Sequence, residues 1–357
     1  MNIKEATRSY EAWMRECSTV IAADLRSKHQ QMKEDLLLFF RGTYYRWAQL
    51  FPEVCSALFR APKVLACGDL HVGSFGTWRD AEGRLSWGVD DFDEAYPLAY
   101  TNDLVRLASS VKIVTDGDQL RIKWKDGCDA ILEGYRQCLK TGGRPLVLAE
   151  QEKGLQRLGI NAIKSSKDFW KKLNRLPRVS SALPRNLKAA LEKTLPVRLD
   201  YKVVRRQAGM GSLGQPRFVA IGEWEGGCIA REAKALVPSS SMWVEGRTGA
   251  GQGYYQRAIS KAVRSPDPFQ RVISGWLIRR LSPDSNPIDI IGLARCADEE
   301  RLLHAMGSEA ANVHLGSKKS VRGILADLNK QKSHWLGSAA KEMAKAMERE
   351  WNKYRKS

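Results

Sequence analysis

KVLACGDLHVGSFGTWRDAEGRLSWGVDDFDE, residues 63–94, sets two groups of acids at the ends of two short predicted strands. Lys63–Cys67 reads as a buried strand that stops at Gly68, after which Asp69 and His71 stand in a glycine-punctuated loop that neither helix nor strand periodicity can continue. A polar turn at Asp80–Gly83 leads into a second strand, Leu85–Val89, which delivers Asp90, Asp91, Asp93 and Glu94. Acids this dense repel one another unless a cation or a basic partner lies among them. The arrangement is the kind that metal-assisted phosphate chemistry uses.

Two enzyme classes open on Gly-Asp-x-His, and they require different companions. Binuclear phosphoesterases need further His and Asn ligands to complete two metal shells, yet this chain has five histidines, His29, His71, His304, His314 and His334, and no Gly-Asn-His follows Asp69. Phosphotransferases of kinase-like fold use the loop Asp to orient or deprotonate the acceptor hydroxyl, a residue five places on to hold a metal, and a later Asp-Phe-Gly-type Asp to bind Mg²⁺. Asp69, Ser74 and Asp91-Phe92-Asp93 stand at those places. Asp69 and His71 are therefore the candidate catalytic-loop residues, and Asp91, Asp93 and Ser74 the candidate metal ligands. His71 is read as a loop-shaping residue ahead of a metal ligand, since partner histidines are lacking.

A longer string of residues carries a family resemblance. Phe40-Arg41-Gly42, Gly68–Gly73, Phe75-Gly76, Asp90–Glu94 and the helix start Asp103–Ser110 together resemble the uncharacterised bacterial domain-of-unknown-function 2252 family. That family is grouped with protein-kinase-like and aminoglycoside-phosphotransferase-like proteins. The resemblance implies ATP or another nucleoside triphosphate with Mg²⁺, an Asp at position 103 that braces the catalytic loop, and Arg231 under the phosphates. The family usually has Asn where this chain has Ser74, and a hydroxyl is a weaker Mg²⁺ ligand than an amide carbonyl.

The glycine-rich element comes late in the chain. Gly209-Met210-Gly211-Ser212-Leu213-Gly214 precedes a predicted hairpin, Arg217–Trp224 and Cys228–Lys234, across Glu225-Gly226-Gly227. A following strand favours a phosphate-covering hairpin over a dinucleotide site, which would open a helix. Gly209, Gly211, Ser212 and Gly214 would cover the phosphates, and Arg231 or Lys234 would neutralise them. Period-2 alternation sends Arg231 and Lys234 to opposite faces, so only one can point under the loop, with Arg231 preferred. The bland alternative is a tight turn that needs glycine for positive φ. An ordinary kinase has its glycine loop before the catalytic loop. A circular permutation reconciles the order: read cyclically, the hairpin is followed by the predicted strand Trp276–Leu281, a helix around Leu302–His314, and then the N-terminal catalytic loop.

The expected fold is thus α+β, a protein-kinase-like two-lobed fold, circularly permuted. Four regions are expected: a catalytic-loop and metal-binding lobe at 1–150, a basic helical connector at 151–200, a glycine-rich nucleotide-binding lobe at 201–290, and C-terminal helices at 291–357. At 357 residues the chain exceeds the roughly 250–300 at which one core stops growing. The net charge is +18, and between Lys164 and Arg206 thirteen Lys or Arg face only Asp168, Glu192 and Asp200. Such a segment attracts nucleic acid or phosphorylated partners, although a solvated helical connector accounts for it as well. No apolar run approaches a spanning helix, and seven scattered cysteines without a C-x-x-C pair read as buried thiols in a reducing cytoplasm. Leu336, Ala340, Met343, Met347, Trp351 and Tyr354 share one face of a C-terminal helix expected to dock on the body. His314 reads as a packed helical histidine, and Arg41 as a cap of a Leu36–Trp47 helix or a partner of the acids.

The function expected from this set is Mg²⁺-dependent phosphoryl transfer from a nucleotide to an unknown acceptor. Alternatives are a nucleotide-binding regulator or pseudokinase, a metal-dependent phosphohydrolase, and a basic nucleic-acid-binding module.

Overall fold

The computed structural model describes residues 1–150, 165–249, 252–285, 290 and 296–356. The first part of the expected connector, including Lys164, and the first residues of the expected C-terminal region lie outside the described residues.

The chain is a mixed α+β protein, with three antiparallel sheets among the described residues. In the first half, β1 (Lys63–Ala66), β2 (Phe75–Arg79), β3 (Leu85–Val89), β4 (Tyr96–Ala99) and β5 (Leu146–Val147) form two small sheets, β1 with β4 and β2-β3-β5. The second half holds β6 (Tyr201–Arg205), β7 (Arg217–Trp224), β8 (Gly227–Ala235), β9 (Arg271–Ile273) and β10 (Trp276–Arg280), ordered β6-β7-β8-β10-β9 in one sheet. The β7–β8 hairpin turns on Glu225 and Gly226, both at positive φ (48° and 80°), the two-residue geometry that matches strand twist. Trp224 pairs with Gly227, and this register sets Arg217 across from Lys234.

Helices build most of the first half around one core. Tyr100–Asp116 packs on the C-terminal helix Trp335–Arg355, whose Leu336, Ala340, Met343, Met347 and Tyr354 are buried, and whose Trp351 donates its indole N–H to the Met32 carbonyl. Trp124–Thr141 and Cys296–His314 cross backbone to backbone: a Cβ added to Gly134 would meet the His304 carbonyl oxygen at 2.0 Å, and one on Gly307 the Ile131 carbonyl oxygen at 2.0 Å. The predicted helix Leu36–Trp47 is broken at Thr43 into Leu36–Gly42 and Tyr44–Val54, because Thr43 leaves helical geometry. Cys228 is exposed on the hairpin, unlike the buried Cys55, Cys67, Cys128 and Cys138.

The described part of the basic segment is not a solvated connector. Its helix Arg185–Glu192 buries Leu187, Ala190 and Leu191 on one face of the five-stranded sheet, with Val203, Ala220, Ala233 and Ile278. Leu173 of the helix Ser166–Asn174 joins Val204, Val219, Ile221 and Ala230 on the other face. Both faces of an antiparallel sheet rich in Val, Ile and Ala must be covered, and this segment supplies the cover while its Lys and Arg face outward. Among the described residues no helix is long and apolar enough to cross a membrane.

Candidate functional site

The loop after β1 is held from below. Asp103, in the first turn of Tyr100–Asp116, accepts the amides of Cys67 (2.7 Å) and Gly68 (3.0 Å) on its two carboxylate oxygens. His314 Nε2 lies 3.0 Å from Asp103 Oδ2 and its Nδ1 2.8 Å from the Tyr135 hydroxyl, so the packed histidine fixes the brace. Burial pushes the Asp103 carboxyl up, but His314, the amides and Asn102 outweigh it and hold it below the usual range. Gly68 has φ of 80°, and a Cβ there would lie 2.3 Å from the Glu94 carbonyl oxygen. Only glycine lets the acid strip approach the loop this closely.

Two side chains of the loop serve the loop itself. His71 Nδ1 accepts the Gly73 amide at 3.0 Å, and burial, then Arg41 and Arg106, holds the ring well below its usual range and hence neutral. Ser74 Oγ accepts the His71 amide and donates to the Asp69 carbonyl, each at 3.0 Å, and the residue is 2% exposed. His71 thus shapes the loop, as preferred from the sequence, and the Ser74 hydroxyl, expected as a metal ligand, is engaged in hydrogen bonds inside the loop.

Asp69 itself is fixed by a residue that sequence reasoning left without a role. Arg106 Nε donates to Asp69 Oδ1 at 2.6 Å, and Nη2 donates to the Phe40 carbonyl at 2.9 Å. Its guanidinium lies fully buried against the rings of Phe40 (4.1 Å), Tyr44 and Trp47 (both 4.9 Å). Burial lifts the Asp69 carboxyl above its usual range in spite of this pairing. The available signal was one arginine inside the apolar run Leu104–Ala108, a position that demands a partner.

The acid strip divides its labour. Lys234 Nζ on β8 donates to Asp93 Oδ2 at 2.5 Å and lies 3.8 Å from Asp91 Oδ1. Asp91 is 55% exposed at its side chain; burial raises it, but Lys234, the Asp93 amide and Arg279 outweigh that and leave it below the usual range. Asp93 is pushed up by burial and by the charge of Asp91, and its Oδ1 is buried with no hydrogen-bond partner among the described residues. Glu94 turns away to accept Ser239 Oγ (2.8 Å) and the amide and hydroxyl of Ser240 (2.6 and 2.9 Å), with burial pushing it up to about 7. Asp90 points to the other side, 3.7 Å from Arg279.

The glycine loop reaches the same place from the second half. A Cβ on Gly211 would lie 3.5 Å from the Arg41 carbonyl oxygen and 3.6 Å from Asp69 Oδ2. Gly209 and Gly214 have positive φ. Lys28, buried in the helix Ala22–Glu34, donates Nζ to the Gly211 carbonyl at 3.0 Å, and burial brings it down to about 8. Ser212 Oγ is taken by Arg217 Nη2 at 2.8 Å. A cavity of about 30 Å³ remains among Lys28, Arg41, Asp69, Asp91, Asp93 and Gly211. Arg41 Nε is buried there with no partner among the described residues.

Arg231, the preferred phosphate partner from sequence, lies on the sheet face away from Asp91 and Asp93. It donates Nε to the Thr194 carbonyl and stacks 3.7 Å over Phe269, on the sheet face covered by Arg185–Glu192. Lys234 occupies the cleft face with Glu232, which is fully buried and bound by Arg206, Arg217 (3.0 Å) and Arg279 (2.7 Å). Three guanidiniums hold Glu232 well below its usual range against burial.

Residues 15–168 match a known family. The family is described as an uncharacterized protein conserved in bacteria (DUF2252). The similar stretch contains the loop of Asp69, the acid strip and Arg106, and stops before the glycine loop and Lys234. Comparison with curated proteins and with solved structures gave no significant match.

Proposed function

We propose that this chain is a Mg²⁺-dependent, nucleotide-binding phosphotransferase of kinase-like, circularly permuted design, acting on an acceptor whose identity the site does not specify. The observation that carries the reading is the meeting of three segments distant in sequence. The Asp69 loop, the Asp91-Asp93 strip with Lys234 set across it, and the Gly209–Gly214 loop line one cleft. Lys234 stands on the third strand of its sheet after a glycine loop that joins the first two, which is where a kinase carries its phosphate-pairing Lys.

In this reading Arg106 fixes Oδ1 of Asp69, leaving Oδ2, the oxygen toward Gly211, to accept the proton of an acceptor hydroxyl. Asp91 and Asp93 Oδ1, which has no hydrogen-bond partner among the described residues, are the oxygens that fit a metal. Mg²⁺ is commonly bound by one or two carboxylates together with phosphates and water, and it would neutralise phosphate charge there. Lys234 and Arg41 add fixed positive charge, and the backbone of Gly209–Gly214 supplies amides.

A second reading, a nucleotide-binding regulator, is favoured by one observation: the glycine loop narrows the space over Asp69 to about the volume of one water. Thermal shift with nucleoside triphosphates, with and without Mg²⁺, tests both. Saturating ligand at a hundred times Kd stabilises by about 2.7 kcal/mol. Mg²⁺-dependent stabilisation that Asp91→Asn abolishes is the expected result, and transfer of the terminal phosphate to a hydroxyl acceptor or to water then separates enzyme from regulator. No stabilisation by any nucleotide, or full stabilisation in folded Asp91→Asn, overturns the assignment.

A further inference from the structure

On the far side of the acid strip lies a second cavity, of about 140 Å³, that the transfer chemistry does not use. Its walls come from both halves of the chain: Thr77 and Trp78 of β2, Asp90 after β3, Arg206 after β6, Arg264, Asp267, and Arg279 and Arg280 of β10. Four arginines, with Asp90 and Asp267 among them, thus line one space. Like charges brought together inside a protein raise its free energy unless something anionic answers them.

The protein's own acids answer only part of this charge. Arg206 and Arg279 share Glu232 with Arg217. Arg264 has no carboxylate within ion-pair distance among the described residues; it donates to the Val89 carbonyl (3.2 Å) and Gln270 Oε1 (3.3 Å) and lies over Trp78 (4.4 Å) and Phe92 (5.4 Å). Arg280 has no ion pair among the described residues and stacks 4.6 Å from Phe269, beside the second guanidinium of Arg231. The remaining carboxyls that face Arg264 are Asp90, Asp267 and Glu309. With Glu232 they make four carboxyls against six arginines, Arg206, Arg217, Arg231, Arg264, Arg279 and Arg280, so the local balance is positive. The geometry holds preorganised, stacked guanidiniums around a cavity of roughly five waters, and such groups bind phosphate oxygens in bidentate pairs.

We infer that the cavity walled by Arg206, Arg264, Arg279 and Arg280 is a binding site for a phosphoryl group, as a free phosphorylated small molecule or as the phosphate tail of a nucleotide. The site needs no metal and stands independently of the role given to Asp91. Inorganic pyrophosphate in EDTA is the probe, titrated by calorimetry against a sodium chloride control of equal ionic strength. Wild type binds it, and Arg280→Met and Arg264→Met each weaken binding at least tenfold, whereas Lys318→Met, on a distant exposed patch, leaves it unchanged. Arg280→Met carries the result if Arg264→Met unfolds, since Arg280 makes no ion pair among the described residues. ATP that displaces pyrophosphate competitively names the nucleotide tail as the source; ATP and pyrophosphate binding together names a separate phosphorylated molecule. Pyrophosphate affinity unchanged in folded Arg280→Met, or an effect reproduced by sodium chloride, overturns the inference. Asp91→Asn is expected to keep pyrophosphate binding in EDTA, so loss of the Mg²⁺-nucleotide reading and loss of this one give different results.

Discussion

Arg106→Met is the substitution whose consequence can be worked out furthest. The guanidinium is fully buried and the Asp69 carboxylate it holds is 17% exposed, so removing the arginine leaves a nearly buried charge without a counter-ion. Breaking such a pair costs about 3–5 kcal/mol. Methionine keeps much of the stem but loses the planar contact with Phe40, Tyr44 and Trp47 and the hydrogen bond to the Phe40 carbonyl. The drop in Tm should be on the order of 10 °C. Urea unfolding followed by tryptophan fluorescence measures it. Asp69→Asn introduced into Arg106→Met removes the stranded charge and should restore at least ~1.5 kcal/mol of coupling. The pH dependence has a fixed sign. The folded Asp69 carboxyl lies above its usual range, by burial first and against the pull of Arg106, so its stability contribution is complete below the usual carboxylate range and is lost as pH rises through the folded value. Removing Arg106 raises that value further, and the deficit of the variant must shrink in acid. Additive effects of the two substitutions, with an equal deficit at pH 5 and pH 8, would show that ring packing and not charge pairing holds this loop.

Lys234→Met should weaken Mg²⁺-nucleotide binding, read by thermal shift, far more than Arg231→Met, because only Lys234 faces Asp91 and Asp93; the reverse ranking would mean the sheet docks by its other face. Ser74→Ala should cost about 1–2 kcal/mol through the orphaned His71 amide and leave the Mg²⁺ midpoint unchanged, whereas a shifted midpoint would return Ser74 to the metal shell. Glu309 is 3% exposed and burial pushes it up to about 7; its stability contribution is present below its ordinary value and lost as pH rises through about 7. Glu309→Gln should therefore gain stability relative to wild type at pH 8 and not at pH 5, and a difference independent of pH would refute the assignment.

Much of the local structure was legible in the chain. Gly68 ended the first strand and Leu85–Val89 formed the second because alternation and turn residues act over a few positions. The β7–β8 hairpin followed from apolar alternation around Glu225-Gly226-Gly227. Alternation likewise separated Arg231 from Lys234, but it cannot say which face of a strand meets the rest of the molecule. That was decided when Arg185–Glu192 covered the Arg231 face. The break at Thr43 was illegible for a similar reason: Gly42 must lie against Met32 Sδ, where a Cβ would come within 2.6 Å.

The sequence by itself determined an α+β chain with an acidic strip, a glycine-punctuated loop and a glycine-rich hairpin, because these depend on residue type and short-range spacing. Only the tertiary structure decided which side chains use their polar atoms on each other. Ser74 and Asp69 are five residues apart, yet one closes the loop and the other faces the cleft. Arg106 finds Asp69 across 37 residues, and Lys234 finds Asp93 across 141. Hydrogen bonds and ion pairs act over about 3 Å of space, and separation along the chain carries no measure of that distance.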